Sequence, residues 1–283
     1  MAVSYQKVLE TSFGFPFPDD FFRFQDFLQV LKERGLSLGE SLLGLFPANV
    51  FQVFDEVPEP NTDLETRFWR DPPEFVTLLI GNVDGLHWGY YVDAPEHSPY
   101  PVAHYYHNDS FELEIDGDLF AAVSNYVADE RQNFENLLKD DPASAEHYQA
   151  KLRQLDAFME VLTPYLGQAP ISRQVVAQTR DGMGIVVPAE LYVPLLPKDP
   201  FQDALYYPSA DEVRSFKELA LASLQNGCPG AALKLGKDLW DYAAYFEISC
   251  ELLDIAYGAL GRPLLQNRLA RIRQDRRQSP SVR

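Results

Sequence analysis

At 283 residues, with 46% hydrophobic and 23% charged side chains, the chain has an ordinary globular balance and length enough for two domains or one large core. The formal net charge of −18 repels phosphate backbones and argues against sequence-independent nucleic-acid binding. The two cysteines, Cys228 and Cys250, are too few for a disulfide framework and lack metal-ligand spacing. With no apolar run of about 18 residues and no signal-peptide core, the expected location is the cytoplasm, or the nucleus in a eukaryote.

In chain order, Phe21, Phe24, Phe27, Leu28 and Leu31 recur at helical spacing, with acids at the start and Lys32, Arg34 and Gly35 at the end, so a helix is expected from Asp19 to Arg34. After a Pro-rich loop at Val57 to Pro60, strands are expected at Phe75 to Ile80, Trp88 to Val92, Pro101 to Tyr106 and Phe111 to Ile115, forming an antiparallel meander. Asp118 should cap a helix running to about Leu138, and a second helix should run from Ala143 to Tyr165. Gly and Pro cluster at Gly167 to Pro170, which places a domain boundary there, with an α+β domain over 1–168 and a mainly helical domain over 169–283.

Beyond that boundary, short strands are expected at Arg173 to Thr179 and Ile185 to Pro188, joined by a turn at Gly182-Met183-Gly184. Ser209 and Glu212 have capping-box spacing for a helix ending at Gln225. One long apolar helix from Pro229 to Leu260 should follow, then a last helix from Pro263 carrying the arginines. Arg268, Arg271, Arg273, Arg276, Arg277 and Arg283 stand against a single acid, Asp275. That basic tail reads as a solvated helix end, and it is the one segment with a charge suited to nucleic acid. Sheet and helices are segregated rather than alternating, so the fold class is α+β. Phe21, Phe24, Phe75, Leu79, Trp88, Phe120, Trp240 and Phe246 are the expected core.

Motifs for independent catalysis are missing: the sequence has no phosphate-binding loop, nucleophile elbow, zinc-protease helix or paired Cys-x-x-Cys. His87, His97, His104 and His107 are close in sequence, but a spacing of three on a strand sends His104 and His107 to opposite faces. Neither a metal nor a cofactor is expected.

The block Arg67-Phe68-Trp69-Arg70-Asp71-Pro72-Pro73-Glu74-Phe75, continued by His87-Trp88-Gly89-Tyr90-Tyr91 and by Gly117-Asp118-Leu119-Phe120, resembles the histone PARylation factor family. So do Phe13-Gly14-Phe15-Pro16-Phe17-Pro18 and Leu233-Lys234-Leu235-Gly236-Lys237-Asp238-Leu239-Trp240, in the same order along the chain. The resemblance implies an accessory protein without an active site of its own, which docks on an ADP-ribosyltransferase such as a poly(ADP-ribose) polymerase. Such a factor lends that enzyme a glutamate as general base for an acceptor serine.

Aligned through Leu233 to Gly236, the glutamate's position holds Asn226 and the preceding aspartate's holds Gln225, while the family's gripping tyrosine-arginine pair falls near Val193 and Pro194. An amide takes no proton at neutral pH, so the chain is read as a divergent, prokaryotic-type member with no catalytic residue. The residues expected to meet the partner are Gln225, Asn226, Gly227, Cys228, Lys234 and Asp238. A second reading is a binding module similar to the SMI1/KNR4-like fold, whose acidic surface would neutralise a basic toxin.

Overall fold

A computed structural model describes residues 5–55, 63–109, 111–167, 171–203 and 205–278. The loop expected at Val57 to Pro60, most of the boundary at Gly167 to Pro170, and Arg283 lie outside those residues. The architecture is α+β. Strands β1 (Leu45–Pro47), β2 (Phe75–Gly81), β3 (Leu86–Tyr91), β4 (Val102–Tyr106) and β5 (Glu114–Gly117) form one antiparallel sheet in sequential order. Helices α1 (Tyr5–Phe13), α2 (Asp19–Glu33), α3 (Leu119–Asp140) and α4 (Ala145–Leu162) belong to the first part of the chain. Helices α5 (Ala210–Gln225), α6 (Gly230–Leu239), α7 (Phe246–Ala259) and α8 (Pro263–Gln278) belong to the second.

Every residue of β3 is buried because both faces of the sheet are covered. Trp88 and Tyr90 join the aromatic cluster of the first helices, in which Phe27 meets Phe120 at 5.9 Å and Phe158 at 5.7 Å. Tyr91, on the alternate face, joins Phe75, Ala103 and Tyr105 in the cluster of the last helices. The sheet is thus the middle layer between two helical layers. A polar contact pins the first of these layers: Asp20, in the opening turn of α2, accepts from the Tyr90 hydroxyl at 2.6 Å and from the Leu119 amide at 3.1 Å. Burial raises its carboxyl above the ordinary range, against the pull of those two donors.

Local signals hold where the chemistry is local. Asp118 accepts from the Ala121 amide at 2.7 Å and opens α3, and Ser209 with Glu212 closes a reciprocal capping box on α5. Seven of the eight expected core side chains are buried; Phe246 is only partly so.

Four expectations are corrected. The short strands at 173–179 and 185–188 reduce to one bridge, Ala177 to Ile185. The turn between them is held by side chains instead of a longer ladder: the Gly184 amide bonds Thr179 Oγ1 at 2.7 Å and the Met183 amide bonds Asp181 Oδ1 at 3.1 Å. The strand expected from Phe111 begins only at Glu114, since the Leu113 amide donates to the Asp181 carbonyl at 2.9 Å.

The single long apolar helix is two, α6 and α7. They are broken where Trp240 and Asp241 turn to hold Arg70, through Nε1 to its carbonyl at 2.8 Å and a carboxylate on its guanidinium at 2.7 Å. At Gly236 a Cβ would lie 2.8 Å from Leu253 Cγ, so glycine there lets α6 and α7 pack closely. Finally, the arginine helix is not a solvated end. Arg268 is buried, and the Arg276 guanidinium lies over Phe246 at 3.9 Å, Trp69 at 4.5 Å and Trp240 at 5.0 Å.

Candidate functional site

The turn between α5 and α6 is built by backbone chemistry. The Asn226 amide reaches the Ala222 carbonyl at 3.2 Å, the Gly227 amide reaches Leu224 at 2.9 Å, and the Cys228 amide reaches back to Ser223 at 3.0 Å. Gly227 has a φ of +82°, and a Cβ there would touch nothing within 4 Å, so the glycine answers to backbone conformation and not to crowding. Gln225, Asn226 and Gly227 are exposed, while Cys228 is half-buried with its Sγ 3.7 Å from the Glu190 carbonyl. The segment after Glu190 backs the turn: a Cβ on Gly230 would meet the Leu191 carbonyl oxygen at 2.8 Å. Val193 continues that segment and is exposed.

The other two residues expected at the partner surface are elsewhere. Lys234 and Asp238 lie on α6, a helix buried along its whole length, where the Lys234 ammonium bridges Asp238 at 2.5 Å and Asp199 at 2.7 Å. Asp238 also accepts from the Arg180 amide at 2.9 Å. Burial pushes the Asp238 carboxyl up to about 6, opposed by Lys234. For Lys234, the two carboxylates outweigh burial and raise its pKa. These residues tie the 190–203 segment to α6 beside a small cavity of about 60 Å³. The structure therefore brings Gln225 to Cys228 together as a surface turn and places Lys234 and Asp238 apart from it, buried along α6.

Asp199, Asp181 and Arg180, whose contacts to α6 sequence reasoning missed, reach it across 35 or more residues, 58 from Arg180 to Asp238, while Asp181 and Asp199 also accept from amides two residues on. The histidines are engaged separately. His87 has Nε2 on Asp71 at 2.8 Å and Nδ1 on the Gly85 carbonyl at 2.7 Å, and His104 has Nδ1 on Asp116 at 2.7 Å. Among the described residues no three His, Cys, Asp or Glu side chains converge as a metal site, and no helix is long and apolar enough to cross a membrane.

Comparison with known proteins gives this geometry its context. The family model described as Histone PARylation factor 1 matches residues 4–193, which end ahead of α5. Histone PARylation factor 1 of Bos taurus is 27% identical over 289 residues, covering 92% of this chain and 83% of its own length. That of Danio rerio is 29% identical over 308 residues, covering 95% and 86%. A human protein called "Putative histone PARylation factor 1-like" is 28% identical over 300 residues, covering 92% and 83%. A family match over most of the chain, with more than four fifths of these relatives' length covered, shows that the chain belongs to the Histone PARylation factor 1 family.

Proposed function

We propose that the chain is an accessory protein of ADP-ribosylation that docks on an ADP-ribosyltransferase through the turn from Gln225 to Cys228. The exposure of that turn carries the reading, because a group that completes another protein's site has to reach past its own surface. Asn226 stands there in place of the glutamate that the resemblance implies, so the chain docks without supplying a general base. The C-terminal arginines favour a protein partner over nucleic acid: Arg268 and Arg276 are occupied by carbonyls and aromatic rings of this same chain.

The test pairs two measurements on the wild type and on Asn226→Glu: capture of the catalytic domain of a cognate polymerase, and serine ADP-ribosylation of a histone peptide. Both proteins should capture the polymerase. The wild type should not switch it to serine, and Asn226→Glu should restore at most a small part, since Gln225 and Val193 also depart from the family's residues. Robust serine modification by the wild type would sink the non-catalytic reading and direct attention to Glu218 or Asp211 on α5. Loss of capture would sink docking itself, and recovery of a small basic toxin from the native host would favour the toxin-binding alternative.

A further inference from the structure

On the face of the molecule where the loop between β3 and β4 meets the second part of the chain, a cleft of about 590 Å³ opens between residues 93–101, 171–174, 186–188 and Arg262. Two guanidinium groups line it. Arg173, with a side chain 9% exposed, is gripped by the Asp93 carboxylate and donates Nη1 to the Met183 carbonyl at 2.9 Å. Arg262, 4% exposed, donates Nη2 to the Val186 carbonyl at 2.7 Å. In both, the Nε–H is buried and has no acceptor. A buried donor without an acceptor is costly, and here two charged ones line one cleft.

The carboxylates facing these arginines are unequal. Asp93 is buried and committed to Arg173, whereas Glu96 is half in solvent and stands 3.7 Å from Arg262, beyond hydrogen-bond reach. His97 is the remaining titratable lining group apart from the Tyr100 phenol, whose hydroxyl is spent on the Pro95 carbonyl at 2.8 Å. The rest of the lining adds the donors Ser172 and Gln174 and an apolar wall that includes Val187 and Pro188.

We propose that this cleft is a binding site for a small oxyanion ligand: a phosphate or carboxylate head held between Arg262 and Arg173, with a short apolar body on the Val187 and Pro188 wall. The head displaces Glu96 from Arg262 and gives the guanidinium an acceptor at hydrogen-bond distance. Phosphate and carboxylate share this chemistry, and the cleft is large enough for either with a ring attached.

The experiment titrates the full chain with phenyl phosphate, benzoate and neutral benzyl alcohol at constant ionic strength, followed by ligand-observed NMR and calorimetry. Saturable binding of one or both anions at about 1 mM or tighter, without binding of the alcohol, is expected, and the stronger of the two identifies the head. Arg262→Gln should weaken it about tenfold or more, and Glu96→Gln, an exposed change that spares folding, should strengthen it severalfold. Absence of saturable binding by both anions, equal binding of the alcohol, or affinity unmoved by both substitutions would overturn the site. No transferase enters this assay, so its failure leaves the docking reading where it stood.

Discussion

Arg268→Met tests whether the C-terminal helix is part of the core. The Arg268 guanidinium donates Nε to the Pro73 carbonyl at 2.7 Å and Nη2 to the Phe75 carbonyl at 2.8 Å, and pairs with Glu65 at 2.8 Å. It thereby bolts α8 to the start of β2, in the first part of the chain. Burial lowers its pKa, opposed first by Glu65. Methionine keeps the apolar stem but removes both charge-assisted bonds, each worth roughly 1.5–3 kcal/mol, and leaves Glu65, 18% exposed, without its partner. The expected loss is about 3–5 kcal/mol, a large share of the roughly 5–15 kcal/mol that holds a typical domain. Adding Glu65→Gln should recover part of it, because the stranded charge is removed. Arg271→Met, at an exposed position of the same helix, should stay within about 0.5 kcal/mol. Urea unfolding followed by circular dichroism measures all four proteins. If Arg268→Met costs less than about 1 kcal/mol, or no more than Arg271→Met, α8 is not anchored as described and the solvated-tail reading returns.

Two further outcomes follow from buried groups. Asp238 titrates at about 6 in the fold against an ordinary value of 3.8, so between those limits the folded chain holds a proton that the unfolded chain has lost. Its contribution to stability is therefore present below about pH 4 and falls away as pH rises to about 6. Urea melts across that window should show this slope in the wild type minus Asp238→Asn difference, and a flat difference would contradict it. Cys250 is buried, with its thiol pushed up to about 12 by burial, whereas Cys228 is half-buried in the turn between α5 and α6. Ellman's reagent should titrate one thiol in the native protein and the second only on unfolding, and Cys228→Ser should remove the native reaction; native reaction surviving in Cys228→Ser would show that α7 opens.

The parts of the fold legible in the sequence are those whose partners lie within a turn or two. The aromatic spacing of α2 reports a buried face directly, and the caps at Asp118 and Ser209 bond amides three residues on. The candidate turn is legible for the same reason, since Asn-Gly followed by Cys-Pro is a local helix stop, whatever lies around it. Hydrophobic periodicity is blind to what decides the second part of the chain. There, buried polar groups satisfy one another across long spans: the Lys237 ammonium reaches the Gly184 carbonyl at 2.5 Å, and the Tyr257 hydroxyl reaches Glu74 at 2.6 Å across 183 residues.

Phe246 shows how the same blindness misplaces an apolar residue. Its pattern says core, and it does pack edge-on against Trp240 at 5.2 Å, but its ring is only partly buried and its other neighbour is the Arg276 guanidinium, 3.9 Å away. The tail's arginines are misread from the opposite side. Charge without nearby counter-charge looks like a solvated surface, yet Arg268 finds its acceptors on the backbone around Phe75, whose carbonyl oxygens leave no mark in composition or periodicity. A long-range cation on a backbone acceptor is therefore the contact that sequence reading misses, and in this chain such contacts join α8 to the sheet and hold Arg262 at the oxyanion cleft.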